Sequence, residues 1–192
     1  LDGRGDFCNM LVYDLGPGKS TLPQRHIFEE VIYVVEGLGS TQLELPGGER
    51  LSFEWGERSL FSIPLNAKYR HFNGSGTKRA LLASTTNLPM MLNHFHNERF
   101  VFDNDFDFED RFGRKEHFAG EGVLNLVRQG NDTWESNFIP DLEKVELPDF
   151  SNRGAGGGTL IFLLTDSSMH AHVSAMPAGT YKKAHRHGPG YH

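Results

Sequence analysis

Three side chains with metal-binding chemistry follow one another at even spacing in the first part of the sequence. Gln24, His26 and Glu30 share the same parity in a segment rich in Val, Ile, Tyr and Phe, residue types that favour β-strands. Because successive side chains of a strand point to opposite faces, a strand here would place all three on one face. Imidazole and carboxylate ligands suit Fe, Mn, Ni, Cu or Zn, whereas an all-oxygen cage suits Ca or Mg. The spacing therefore predicts a site for a divalent transition metal.

The segment around these residues resembles the first motif of the cupin superfamily, in which a glycine precedes His-x-His, a glutamate and a second glycine. His26, Glu30 and Gly37 stand where the family has its second histidine, its glutamate and its second glycine. Gln24 stands where the first histidine is usual. The resemblance implies that His26, Glu30 and Gln24 are metal ligands inside a jelly-roll barrel.

The second motif of the cupin superfamily is also similar to a segment of this chain. Three of its residues are matched by Gly56, Pro64 and Asn73. Asn66 stands at the position of its inner glycine, and Tyr69 stands at the position of its histidine. His71 lies two residues after Tyr69 and so on the same strand face. The resemblance therefore leaves either His71 or Tyr69 as the last ligand of the first barrel.

A second hypothesis for the first barrel needs no metal. Buried polar groups are nearly always hydrogen-bonded, and Gln24, Glu30, Tyr69 and His71 are able to bond to one another inside a barrel. In that case the first copy of the motif is vestigial.

The end of the sequence resembles the first cupin motif again. Gly179, His185 and His187 repeat the glycine and the His-x-His pair, and His192 falls near the position of the glutamate. This copy keeps both histidines, so the resemblance implies metal ligands at His185, His187 and His192. Two copies in one chain resemble a bicupin, a polypeptide with two jelly rolls.

A strand with two further histidines precedes this second copy. Residues 169–177 alternate, with His170 and His172 on one face and small apolar residues on the other. We expect His172 to line a substrate pocket together with Tyr69. The alternatives are a hydrogen-bonding role beside the metal ligands or a contact with another subunit.

The remaining sequence predicts an all-β fold with a helix and an extended linker. Short apolar runs separated by turn residues are typical of a sandwich or closed barrel. We expect a nearly complete jelly roll in residues 1–88, a short helix and a linker in residues 89–157, and the opening strands of a second barrel in residues 158–192. Since a jelly roll uses about eight strands, the second barrel needs either a longer chain or strands from a partner. The first residue is Leu1 and no signal-like segment follows, so we expect the sequence to begin inside a longer protein.

The composition narrows the class of partner. The 192 residues carry a net charge of -6 and one cysteine, which disfavour nucleic acid and anionic membranes as partners and favour a reducing, cytoplasmic location. No apolar run approaches the ~20 residues of a membrane span. A small-molecule substrate is therefore the expected partner, and a homo-oligomer is the expected assembly.

The cupin resemblance is compatible with three classes of function. The first hypothesis is a metal-dependent oxidoreductase, a non-haem iron dioxygenase acting on a small diol, enol or aromatic substrate, with Fe(II) favoured over Mn, Ni, Zn or Cu. The alternatives are a metal-dependent isomerase or lyase and a non-catalytic binding or structural cupin. Because the second copy keeps its histidine pair, we expect it to carry the activity.

Overall fold

The structure, a computed structural model, describes residues 7–112, 114–128, 130–150, 157–164, 166–181 and residue 184. Within these residues the chain forms mainly β-strands and two helices. The strands are β1 Asn9–Leu15, β2 Glu30–Glu36, β3 Leu38–Glu44, β4 Arg50–Gly56, β5 Leu60–Ser62, β6 Lys68–Asn73, β7 Ala80–Thr86, β8 Val123–Asn125, β9 Thr133–Ser136, β10 Phe138–Ile139, β11 Gly158–Leu164 and β12 His170–Ala175. The helices are α1 Leu88–Phe95 and α2 Glu98–Phe102.

Two facing sheets form a jelly roll from the first seven strands and one further segment. One sheet has the strand order β1-β7-β2-β5, with the short β10 paired to β5 at its edge. The other has the order β4-β3-β6, and the chain before β2 lies beside β6 through bridges of Ser20 to Phe72 and Gln24 to Tyr69. Two antiparallel sheets that pack face to face, with the chain crossing from one sheet to the other between strands, form a jelly roll. The prediction of an all-β jelly-roll barrel is confirmed.

The barrel closes because its strands alternate between buried and exposed side chains. In β3 and β6 every second residue is buried, which is the pattern of a sheet with one face on the core. The inward side chains of both sheets, among them Leu43, Phe53, Phe61 and Leu82, belong to one hydrophobic cluster. The two sheets therefore share a single core, and the polar candidates His26, Glu30 and His71 are buried beside it.

Two residues at motif positions noted in the sequence, Gly37 and Asn66, have a left-handed backbone. Gly37 has φ +92°, and a Cβ there would lie 2.7 Å from the backbone oxygen of Arg79, so only glycine fits. Asn66, at the position of a glycine in the second motif, has φ 57°, a conformation that asparagine tolerates better than most residues. Its side chain donates hydrogen bonds to the carbonyls of Asn104 and Phe106.

A third sheet covers the outer face of the first barrel sheet. Its strand order is β12-β11-β9-β8. Leu160 and Phe162 of β11 pack against Val31 and Leu60, whose side chains point away from the barrel interior. The strands β8 to β10 lie in the segment predicted to be a linker, and β11 and β12 lie in the segment predicted to open a second barrel; that domain division stays a prediction.

Helices α1 and α2 pack on the outside of the barrel, where a short helix was expected. Val101 of α2 is fully buried and contacts Ile27 and Phe28. Neither helix has the length and apolar character needed to cross a bilayer, and the same holds for the other helical turns of the described residues.

Candidate functional site

The structure brings Gln24, His26 and Glu30 together, but not on one strand as the spacing predicted. Gln24 pairs with Tyr69 at the edge of the second sheet, and Glu30 is the first residue of β2 in the first sheet. His26 lies in the crossing between them, where its carbonyl accepts a hydrogen bond from the backbone N–H of Asn66. The three side chains therefore converge because the chain changes sheets, and the two-residue strand period plays no part.

Their meeting point is the phenol oxygen of Tyr69. This oxygen lies 2.9 Å from His26 Nε2, 2.5 Å from Glu30 Oε1 and 3.2 Å from Gln24 Oε1. A hydroxyl has one hydrogen to donate, and the shortest contact indicates that Tyr69 donates it to the Glu30 carboxylate.

His26 is held so that both ring nitrogens face oxygen acceptors. Nδ1 lies 2.8 Å from the carbonyl oxygen of Phe28, and Nε2 lies 3.2 Å from Glu30 Oε1. The ring also stacks on Phe28, with centroids 3.5 Å apart. A carbonyl oxygen only accepts hydrogen bonds, so Nδ1 carries a hydrogen, and Nε2 is directed at the Glu30 carboxylate and the Tyr69 hydroxyl.

Glu30 is fully buried and both of its oxygens are hydrogen-bonded. Oε1 contacts Tyr69 and His26, whereas Oε2 accepts from Tyr13 at 3.1 Å and from Ser84 at 2.6 Å. Burial raises the pKa of Glu30, but the hydrogen bond and charge of His26, with further hydrogen bonds from Ser84 and Tyr69, lower it more strongly. The net pKa is below the usual value for glutamate, so the carboxylate is charged.

The two phenols are neutral. Burial, followed by the charge of Glu30, raises the pKa of Tyr69 well above its usual value. The same two causes raise the pKa of Tyr13. A phenolate ligand would require the loss of a proton, and this site opposes that loss.

His71 lies in the core beside this network, but its hydrogen bond is to Thr41, which is outside the network. Its Nδ1 is 2.7 Å from the hydroxyl of Thr41, which also accepts from Trp55 Nε1 at 2.9 Å. Nε2 is buried and has no hydrogen-bond partner among the described residues. Burial lowers the pKa of His71 to about 4, so its ring is neutral near pH 7.

The residues of the barrel interior do not fit a metal centre in this arrangement. A metal needs deprotonated ligands with free lone pairs around one open point, whereas His26 and Glu30 bond to each other and the Tyr69 hydroxyl stands at that point. Across the residues that the structure describes, no group of three or more His, Cys, Asp or Glu side chains has the placement to hold a metal. Metal binding by His26, Glu30, Gln24 and His71 stays a prediction, and the geometry favours the alternative hypothesis of a hydrogen-bonded network.

The other predicted site residues lie apart from this network. His185, His187 and His192 are outside the described residues. His172 is exposed on β12 and lines a groove on the outside of the barrel with Cys8 and Met10, whereas Tyr69 lies inside the barrel. The structure thus does not bring Tyr69 and His172 into one pocket.

Four side chains in and beside the network were missed from the sequence. Tyr13 and Ser84 bond to Glu30, whereas Thr41 bonds to His71 and accepts a hydrogen bond from Trp55. Their partners lie far away along the chain, on other strands, and nothing in their local sequence distinguishes them from ordinary strand residues.

No family model matches the sequence, and no curated protein matches it. Among solved structures, the chain is similar to an oxalate oxidase in complex with glycolate, at 23% identity and a TM-score of 0.39 over 42% of this chain and 41% of that one. It is also similar to vicilin from hazelnut, Corylus avellana, at 15% identity and a TM-score of 0.39 over 42% of this chain and 22% of that one. The oxalate decarboxylase of Lactobacillus farciminis gives 10% identity and a TM-score of 0.39 over 43% of this chain and 24% of that one. This chain spans about two fifths of the length of the oxalate oxidase, and TM-scores below 0.5 do not assign it to a family.

Proposed function

We propose that the protein is a metal-dependent enzyme of the two-barrel cupin kind, in which the described barrel is a scaffold and the C-terminal copy binds the metal. The Tyr69 hydroxyl, which hydrogen-bonds to His26 and Glu30, is the observation that supports the scaffold role. Metal catalysis needs an open coordination position, and a hydroxyl at the centre of the donor set leaves none.

The sequence of the C-terminal copy supports the other half of the proposal. Gly179, His185 and His187 keep the glycine and both histidines of the motif, and His192, near the position of the glutamate, is the proposed further ligand. A divalent metal held there, with Fe(II) favoured, would polarise the oxygen atoms of a small diol, enol or aromatic substrate and supply oxidoreductase chemistry of the dioxygenase kind.

Two further properties belong to the proposal. The net charge of -6 supports a small-molecule partner over nucleic acid. Exposed Met10 and Val12 on the edge strand β1 support a homo-oligomer, because apolar side chains on an unpaired edge favour association. Light scattering of the purified protein measures the oligomeric state.

The first prediction is that metal content depends on the C-terminal histidines. We expect wild-type protein to bind about one transition-metal ion per chain. His187→Ala should lose most of it, because a ligand is lost, whereas His26→Ala should keep it. Elemental analysis of the three proteins after identical exposure to Fe(II), Mn(II) and Zn(II) and identical dialysis checks this, with folding verified by circular dichroism. Metal lost from His26→Ala and kept by His187→Ala would reverse the assignment.

A non-catalytic structural or ligand-binding cupin is the second candidate, and the closed network around Glu30 is the observation that favours it. Wild-type protein that takes up none of the three metals would replace the enzyme proposal with this candidate. For metal-loaded protein, dioxygen consumption separates an oxidoreductase from an isomerase or lyase.

A further inference from the structure

The Tyr69 hydroxyl has the surroundings of a bound ion. Four groups contact it from separate parts of the fold: Gln24 from the segment beside β6, His26 from the crossing between sheets, Glu30 from β2, and Tyr13 of β1, whose hydroxyl lies 3.2 Å away. Each directs one oxygen or nitrogen atom at the same point. The phenol oxygen, delivered by β6, links these segments as a coordinated ion would.

His26 and Glu30 are oriented independently of Tyr69. The Nδ1–H of His26 donates to the Phe28 carbonyl at 2.8 Å, which directs Nε2 into the barrel. Tyr13 and Ser84 hold the second oxygen of Glu30 and so direct the first oxygen to the same point. Metal-binding histidines and carboxylates are held by such secondary hydrogen bonds. These two donors would therefore keep their directions when the phenol is removed.

The length of the side chain at position 69 determines whether its own oxygen or a metal ion can lie at the point between His26, Glu30 and Gln24. The Tyr69 side chain is buried, at 2% exposure, and reaches the point directly. A histidine side chain reaches about 2 Å less far than a tyrosine, and a metal–imidazole bond is about 2.0–2.1 Å long. An imidazole followed by a metal ion thus spans the same distance as the phenol alone.

We infer that the Tyr69 hydroxyl takes the place of a metal ion in this barrel, and that Tyr69→His converts the hydrogen-bonded network into a site for a divalent transition metal. The ligands would be His26, Glu30, Gln24 and the introduced imidazole. The inference rests on the proposed function, in which the barrel of the unaltered protein binds no metal.

The experiment uses the full chain with His187→Ala, so that the proposed C-terminal site does not contribute. Co²⁺ is the probe, because its visible absorption reports ligand geometry. Adding Tyr69→His should create binding of about one Co²⁺ per chain, at least about 100-fold tighter than in the His187→Ala parent. Adding His26→Ala to that variant should abolish the gain. Tyr69→Phe is the matched control, since it removes the hydroxyl and offers no donor; it should bind no more Co²⁺ than the parent.

Each result has a distinct meaning. Folded Tyr69→His that binds no Co²⁺, or Tyr69→Phe that binds as tightly as Tyr69→His, would overturn the inference and leave the proposed function intact. Co²⁺ bound by the His187→Ala parent and lost with His26→Ala would overturn the proposed function. If Tyr69→His lowers the melting temperature, excess Co²⁺ should raise it again, because an ion that binds only the folded state stabilises it; no rise in melting temperature would also overturn the inference.

Discussion

At the scale of single residues, the barrel interior combines a buried carboxylate with neutral rings. Glu30 is charged, and Tyr13, Tyr69 and His71 stay neutral around it. Burying a carboxylate costs free energy that is offset only when its oxygens find hydrogen-bond partners. The four partners of Glu30 meet that requirement, so we expect the network to make stability sensitive to acid.

His71 provides a prediction on pH. Its pKa is about 4 in the folded protein and about 6.5 in an unfolded chain, so the unfolded state binds more protons between these values. The contribution to stability is complete above pH 6.5 and is lost as pH falls towards 4, by about 3 kcal/mol in total. We expect His71→Gln to lose about 3 kcal/mol less than wild type between pH 7 and pH 4, measured by urea unfolding.

Comparing how steeply the free energy of unfolding falls with pH in wild type and in His71→Gln separates the effect of His71 from the effects of acidic groups. Glu30 has a lowered pKa, so its stabilising contribution is present above its ordinary value and fades at lower pH, mostly outside the window of His71. Any general destabilisation by His71→Gln shifts its curve at all pH values alike. Equal loss of stability in both proteins between pH 7 and pH 4 would contradict the assignment.

At the scale of elements, one carboxylate joins the barrel to the outer hairpin of β11 and β12. Glu29 is 4% exposed and points away from Glu30, its neighbour on the chain. It accepts hydrogen bonds from Arg111, from the backbone N–H of Ser168 at 2.9 Å and from the Ser168 hydroxyl, and it contacts Asn87 Nδ2 at 3.2 Å. Arg111 also donates to the carbonyl of Asp166 in the same hairpin turn.

We predict that Glu29→Gln destabilises the protein by about 2–3 kcal/mol, because it removes the charge that compensates the partly buried Arg111 guanidinium. Hydrogen exchange should also become faster in the hairpin turn around Ser168. The control is Glu36→Gln at the end of β2, whose carboxylate is 49% exposed and pairs with Arg79; an exposed pair contributes about 0–1 kcal/mol. Equal effects of the two substitutions on urea unfolding would rule out a fixing role for Glu29.

At the scale of the whole molecule, the outer sheet and the barrel share apolar contacts. Leu160 and Phe162 are almost completely buried against Val31 and Leu60 of the barrel sheet. Neither side can lose these contacts without exposing apolar surface on the other. We therefore expect the barrel and the outer sheet to unfold in one cooperative step.

The two tryptophans test this prediction. Trp55 lies in the barrel core and Trp134 lies on β9 of the outer sheet. In Trp134→Phe the fluorescence of Trp55 should follow the far-ultraviolet circular dichroism, and in Trp55→Phe the fluorescence of Trp134 should do the same. Leu160→Ala should lower the midpoint of both signals, at a cost of about 2–5 kcal/mol. A Trp134 transition at lower urea than the circular dichroism would indicate a separate outer domain.

The sequence by itself determined the class of fold. Alternation in β3 and β6 and the turn residues between strands are local properties, and strand formation depends on them directly. The even spacing made Gln24, His26 and Glu30 candidates for one site, and the resemblance to the second cupin motif added Tyr69.

Only the tertiary structure decided what that site is. The crossing between sheets places His26 and Glu30 around the phenol of Tyr69, and the partners of Glu30 on β1 and β7 lie 17 and 54 residues away along the chain. Whether a histidine and a glutamate bind a metal or each other depends on which atom stands between them. Here that atom is the phenol oxygen of Tyr69 on β6. The register of this strand is set by packing across the whole barrel, so no local sequence pattern specifies where the oxygen lies.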